Sequence, residues 1–204
     1  HYLAVLKASG RIPRDLPVYL NSPMAIDATR IYRTHAAEHR LSLEQSAAMG
    51  SVATLVNTLE ESKQLNLRKG PMLIIAGSGM ATGGRIVHHL KAFGPDPANA
   101  IVLTGFQAGG TRGAALQAGA DSIKIHGEYV AVRAEVVSLS NLSAHADSDE
   151  LMAWLGGMRA APRRVFITHG EPDASDALRR RIEEQLRWTC RVPEYGEVAA
   201  LDER

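Results

Sequence analysis

The chain has 204 residues, 45% of them hydrophobic and 22% charged, a balance that excludes collagen, coiled coil and extended disorder and suits one substantial domain, or a domain and part of another. The 23 Lys and Arg against 22 Asp and Glu leave a formal charge of +1, so no bulk positive field marks a nucleic-acid or membrane partner, and any polyanion must be held locally. The single cysteine, Cys190, can form neither an internal disulfide nor a thiolate metal cage, which fits a reducing compartment and makes the cytoplasm the expected location.

No apolar run approaches the roughly 18 to 20 residues that span a bilayer, and the amino end lacks the charged-then-apolar pattern of a secretory signal. The chain is therefore expected neither to span a membrane nor to be exported. It opens on His1-Tyr2-Leu3-Ala4-Val5-Leu6-Lys7 without an initiator Met and with helical periodicity already running, as in a piece of a longer protein.

Leu16-Pro17-Val18-Tyr19-Leu20 predicts a strand, Asn21-Ser22-Pro23 a cap, and the stretch to about Arg40 a long helix. A second helix is expected around residues 56–66. Residues 71–76 are too apolar for a sheet with one wet face and too short for a typical helix, so they predict a buried parallel strand. Gly77-Ser78-Gly79 breaks it, a helix with Ile86, Leu90 and Phe93 on one face follows, and residues 100–104 give the next buried strand. Strands alternating with helices define an α/β chain. From Asp121 the pattern turns to hairpin strands without an intervening helix, through Ile123, Ile125, Val130, Val132, Val136 and Val137. A helix over residues 149–154, a buried strand over 164–168, and a helix with Leu178, Ile182 and Leu186 on one face complete the chain, with a domain boundary near residue 138.

Two glycine-rich turns follow strands. Gly77-Ser78-Gly79-Met80-Ala81-Thr82-Gly83-Gly84 precedes a helix start, where backbone amides and the helix dipole favour an anion such as phosphate, and equally reads as a tight turn needing positive φ. It satisfies neither a Walker loop, because Arg85 and Ile86 stand in place of Lys and a hydroxyl, nor the dinucleotide fingerprint, because Thr82 occupies the third glycine position. The second turn, Gly105-Phe106-Gln107-Ala108-Gly109-Gly110-Thr111-Arg112-Gly113, offers Gln107, Thr111 and Arg112 as polar contacts, and the two loops are expected to line one crevice at the carboxyl edge of a shared sheet.

Of eight histidines, His35 and His39 are four apart on the predicted long helix, a weak candidate metal clamp that is expected to be solvated. The adjacent His88 and His89 must point in different directions and suit packing or surface roles. His145, in Ser143-Ala144-His145-Ala146-Asp147, has small neighbours and a carboxylate that could orient it. His169 ends a strand in Thr168-His169-Gly170-Glu171-Pro172. Both are placed like active-site residues.

In this order, Ser78-Gly79-Met80 with Gly83-Gly84, Gly105-Phe106-Gln107-Ala108 with Gly110-Thr111, Ser143-Ala144-His145-Ala146-Asp147 and His169-Gly170-Glu171 strongly resemble the β-CASP family of metallo-β-lactamase-fold nucleases. The resemblance looks closest to relatives of the endonuclease subunit of the cleavage and polyadenylation specificity factor. It implies the distal part of a β-CASP domain over 1–138, a parallel sheet flanked by helices. Over 139–204 it implies the C-terminal strands and helices of a metallo-β-lactamase αββα domain.

The resemblance further implies a zinc-dependent ribonuclease. Its two zinc ions would generate a hydroxide, His145 with Asp147 would act at the scissile phosphate, and His169 would bind one zinc, with Ser143 and Glu171 in supporting places. Ser78, Gly79, Met80, Thr82, Gly83, Gln107 and Thr111 would hold RNA phosphates. The DNA-processing branch usually has Val at the His169 position, which favours RNA. No His-x-His-x-Asp-His is present, so these residues alone are expected to hold no stoichiometric zinc and to be inactive. The rival readings are a non-catalytic RNA-binding or scaffold member of the family, and a nucleotide-binding α/β enzyme. A homodimer is compatible with the sequence without being required by it.

Overall fold

The computed structural model describes residues 1–200, and the chain divides into two compact units, residues 1–143 and the chain from Ala144. The first unit is α/β with parallel strand pairing. Helix α1 (Tyr2–Ala8) leads to β1 (Val18–Asn21), α2 (Pro23–Thr34), α3 (Leu43–Ser51), β2 (Thr54–Leu55), α4 (Leu59–Leu67) and β3 (Leu73–Ala76). Strands β2, β1 and β3 form one parallel sheet with β1 central, Tyr19 opposite Thr54 on one side and Ile74 on the other. Then come α5 (Arg85–Phe93), β4 (Ala100–Leu103), α6 (Arg112–Gln117), β5 (Ser122–Ile125), β6 (Glu128–Ala131) and β7 (Glu135–Ser138).

The local chemistry explains these boundaries. Ser22 caps α2 with Pro23 at its first position, where a missing N–H costs nothing. Ser42 with Gln45 and Thr58 with Glu61 build reciprocal capping boxes on α3 and α4. Strands β5 and β6 are joined by His126 and Gly127, both at positive φ, as a two-residue hairpin turn matched to strand twist demands. Around this hairpin a core forms from Val87 and Leu90 of α5, Leu103, Leu116, Ile123, Ile125 and Val130.

Several expectations need correction. The helix expected to reach Arg40 stops at Thr34, because His35 leaves helical geometry and residues 36–38 form a single 3-10 turn. That break dissolves the proposed His35/His39 metal clamp: His35 pairs with Glu38, and His39 stacks on Tyr32 with ring centroids 4.0 Å apart. Helices α3 and α6 and the short strand β2 lie outside what the sequence pattern predicts. Strands β3 and β4 are parallel but only partly buried, with Ile75 38% and Val102 51% exposed while Leu103 joins the core, since β3 is a sheet edge and β4 belongs to a two-stranded sheet. The two glycine loops therefore do not leave one shared sheet. Nor does the whole segment from Asp121 form hairpins: β7 pairs in parallel with β4, Ile101 opposite Val136.

The second unit contains α7 (Ser148–Gly156), β8 (Val165–Phe166), α8 (Pro172–Leu186) and β9 (Cys190–Arg191). Strands β8 and β9 are parallel and α8 is their crossover, a βαβ arrangement whose core is Met152, Leu155, Ile167, Ile182 and Cys190. Burial pushes the Cys190 thiol above its ordinary range, which suits a packing role rather than a nucleophile.

A buried polar cluster ties the first unit together. Asn21, fully buried at the end of β1, donates through Nδ2 to Ser62 Oγ of α4 (2.9 Å) and to His89 Nε2 of α5 (2.6 Å). Its Oδ1 accepts from Arg85 Nη1 at 2.6 Å, and Arg85 also donates to the carbonyls of Val56 (2.6 Å) and Asn57 (2.7 Å). With Nε2 accepting, the network assigns the His89 proton to Nδ1, which lies 2.6 Å from Asn66 Oδ1. Burial first, then the nearby His88 and Arg85, lower the His89 pKa to about 4, so the ring stays neutral.

Unfolding restores an ordinary imidazole that takes up a proton below about pH 6.5, whereas the folded ring resists it. Stability is thus expected to be full above that pH and to fall between about 6.5 and 4 by up to about 3 kcal/mol, levelling off below. Urea unfolding across this range, compared with His89→Gln, checks it: the His89 contribution should vanish from the variant's pH profile.

Candidate functional site

Two loops of the first unit are fastened to one another although their strands are not paired. In the first loop, Ala81 N–H donates to Ser78 O (3.1 Å), and Ile86 N–H at the start of α5 donates to Gly77 O (3.3 Å). The Ser78 and Thr82 hydroxyls are 3.1 Å apart. Positive φ falls on Ala81 and Gly84, and a Cβ at Gly84 would lie 3.0 Å from Gly77 O. Gly79 and Gly83 have ordinary φ and open space around them, so the tight-turn requirement belongs to Gly84.

The second loop reaches across through three residues, Gln107, Arg112 and Gly113. Gln107 Nε2 donates to Gly79 O (3.0 Å) and Gly105 O (3.1 Å), and Gly113 N–H donates to Met80 O (2.9 Å). Arg112 Nη1 donates to Ala81 O and Thr82 O, each at 3.1 Å. Gln107 is buried, with both amide protons spent on loop carbonyls, so its place is that of a clamp between loops. Thr111 caps α6, accepting from Ala114 N–H at 3.1 Å. The sequence pattern missed why residue 113 is Gly: a Cβ there would sit 1.6 Å from Gln107 Oε1.

The second unit carries the two candidate histidines in exposed turns before its helices. His145 precedes α7, and Asp147 is the N-cap of that helix: its Oδ1 accepts from Asp149 N–H and Glu150 N–H at 2.9 Å each, while Glu150 Oε2 accepts from Asp147 N–H at 3.0 Å. The expected orienting carboxylate is thus also a structural cap. Arg181 of α8 fixes this helix start, bonding Ser148 Oγ at 2.7 Å and Asp149 at 2.5 Å.

His169 follows β8 in the left-handed region at φ 68. Gly170 lies so close to the buried Ser175 that a Cβ would meet its Oγ at 2.4 Å, and Glu171 begins α8 with Pro172 behind it. The turn geometry around His169 is therefore tightly determined. Ser143 and Glu171 are both exposed; Ser143 ends the first unit. Among the described residues no three His, Cys, Asp or Glu side chains converge to hold a metal ion, so the residues present do not by themselves fit a zinc centre.

Residues 1–116 match the Beta-Casp domain, and residues 129–193 match the domain described as Zn-dependent metallo-hydrolase RNA specificity domain. The chain belongs to the β-CASP family of metallo-β-lactamase-fold nucleases. It is 42% identical over 183 residues to Ribonuclease TTHA0252 of Thermus thermophilus, covering 86% of this chain and 41% of that protein. It is 32% identical over 195 residues to Transcription termination factor FttA of Methanosarcina mazei, covering 90% and 30%. An RNase J-like protein of Methanocaldococcus jannaschii is 30% identical over 197 residues, covering 95% and 44%. The chain thus spans less than half the length of these relatives.

Two measurements test the site's construction. Asp147→Ala should cost about 0.5–2 kcal/mol of stability, whereas Asp147→Asn, an equally good cap, should cost little; equal losses in thermal unfolding would show that the carboxylate charge, and not capping, is what the fold uses. Gly113→Ala must displace the Gln107 carboxamide and is expected to destabilise by about 1–3 kcal/mol, with NMR shift changes at Gly79 and Gly105, whose carbonyls Gln107 holds.

Proposed function

We propose that this chain is part of a zinc-dependent ribonuclease that hydrolyses RNA phosphodiester bonds in RNA processing or decay. The observation that carries the reading is the pair of histidine turns, His145 before α7 and His169 before α8, inside the stretch that matches an RNA specificity domain. The relative named a ribonuclease, similar over most of this chain, supports the same substrate class.

In this reading water adds to phosphorus and the bond to the leaving ribose oxygen breaks, and His145 gives that oxygen its proton so that no free alkoxide is expelled. Asp147 holds the start of α7 and with it the His145 turn. His169 would contribute one imidazole to a zinc whose remaining ligands these residues do not supply, and these residues alone are expected neither to retain zinc stoichiometrically nor to turn over RNA. Ser78, Gly79, Met80, Thr82 and Gly83 position a phosphate of the strand through their backbone, with Gln107 and Thr111 holding the loops that do so.

The cytoplasm is the proposed compartment, supported by the buried free thiol. No described helix is long and apolar enough to cross a membrane.

In the whole protein, His145→Ala should leave zinc content near normal and slow cleavage by roughly 100- to 10,000-fold. His169→Ala should lower zinc content, with partial rescue by added metal. A substrate with a nitrophenolate leaving group, which needs no proton, should rescue His145→Ala and not His169→Ala. Equal metal loss in both variants, with rescue of neither, would falsify the division of roles.

A further inference from the structure

The pair His88 and His126 has no part in the reading above, and both side chains open on one cavity of the first unit. It has a volume of about 270 Å³ and is lined by Gly83 and Gly84 and by Arg85, His88, Arg112 and His126. The two imidazoles lie 4.9 Å apart, centroid to centroid, at 42°. His126 is fixed by the positive-φ turn of the β5–β6 hairpin and His88 by α5, whose next residue is the buried His89. Neither ring is placed by chance of a mobile tail.

The two guanidinium groups here are held by carbonyl and amide oxygens, not by ion pairs. Arg112 donates to the carbonyls of Lys124, Ala81 and Thr82, and Arg85 to Asn21 Oδ1 and the carbonyls of Val56 and Asn57. Among the described residues neither guanidinium meets a carboxylate within ion-pair distance. The nearest acids are committed elsewhere: Glu128, which acts on His126, is held by Lys91 at 2.6 Å, and Glu61, which acts on Arg85, accepts both Asn57 N–H and Thr58 N–H at 2.9 Å. Two guanidinium charges, two imidazoles and no acid in the lining match a compact anion with several acceptor oxygens.

We propose that this cavity is a phosphate-binding site in which Arg112, His88 and His126 hold the oxygens of one phosphate group. The phosphate is carried by an RNA strand or is free. The strand source rests on the ribonuclease reading; the site itself does not.

The test is titration of the chain with inorganic phosphate in chloride buffer at pH 7, following the imidazole C–H signals of His88 and His126 and the amides of Gly83 and Gly84 by NMR. Saturable shifts are expected. Arg112→Gln loosens loop contacts as well as removing charge, so the double variant His88→Gln/His126→Gln, in exposed positions, is the cleaner probe. Each should weaken phosphate binding by about tenfold, while Arg30→Gln, which removes an exposed charge on α2, should not. A short oligouridylate forms the second arm. If it moves the same signals and binds the double variant more weakly, the phosphate belongs to a strand. Phosphate binding in the cavity without any RNA binding leaves the site standing and sinks the RNA reading. Folded protein whose His88 and His126 signals respond to neither ligand, or whose Gly83 and Gly84 amides respond equally in the parent chain and in all variants, overturns the proposal.

Discussion

Everything that faces a ligand in the first unit depends on satisfying one buried carboxamide. Each unpaired buried polar group costs about 1–3 kcal/mol, and Asn21 presents three hydrogen-bonding needs in a place water does not reach. Ser62, His89 and Arg85 meet them, and these side chains come from α4 and α5, so the polar requirement of one β1 residue fixes where two helices stand. Because Arg85 is also the first residue of α5, its grip on Asn21 and on the Val56 and Asn57 carbonyls sets the helix start that the first glycine loop must reach. A protonated His89 would turn an N–H toward the Asn21 amide, which is why the neutral tautomer and the fold require each other.

From that anchored helix start the glycine loops are built by close approach more than by flexibility. Gly84 supplies the positive φ that lets α5 begin against Gly77 O, and Gly113 leaves room for the Gln107 carboxamide that bolts the loops together. The side chains expected to touch phosphate are therefore of two kinds. Gln107, Thr111 and Arg112 are spent wholly or partly on loop carbonyls and a helix cap. Space is open around Gly79 and Gly83, although the Gly79 carbonyl is held by Gln107. A phosphate contact made by backbone is consistent with following a strand without reading its sequence.

Elements with strong local codes were legible in the sequence: the Ser22-Pro23 start of α2, the amphipathic face of α5, the β5–β6 hairpin and the strand and helix β8–α8 of the second unit. The family was legible too, because four ordered motifs survive where single ones are ambiguous. What failed had physical causes. The break at His35 lies in a continuous helical pattern, with the Tyr32–His39 stack found only on folding. Helix α3 buries just Ser46, so its apolar periodicity is weak, although the Ser42…Gln45 capping box was there to be read. Burial of β3 and β4 was over-read because apolar composition reports what a strand can bury, not how wide its sheet is. The Asn21–His89 cluster joins residues 68 apart in sequence, and no local pattern announces such a pair.

In the second unit the candidate histidines are both exposed, His145 before α7 and His169 after β8. A non-glycine residue in the left-handed region costs about 1–2 kcal/mol, and His169 adopts it while exposed, next to Gly170, whose own closeness to Ser175 leaves the turn little freedom to relax. A fold selecting only for stability would place Gly or Asn there. Left-handed φ falls also on Ala81, His126 and Arg187, so the strain at His169 fits the proposed role without assigning it. His145 sits beside a helix start secured by Asp147, Glu150 and Arg181, so the same residues that stabilise α7 also limit where the imidazole can go. In the mechanism proposed for His145, Asp147 needs no separate catalytic charge to matter, because a proton donor is only as effective as the geometry that presents it.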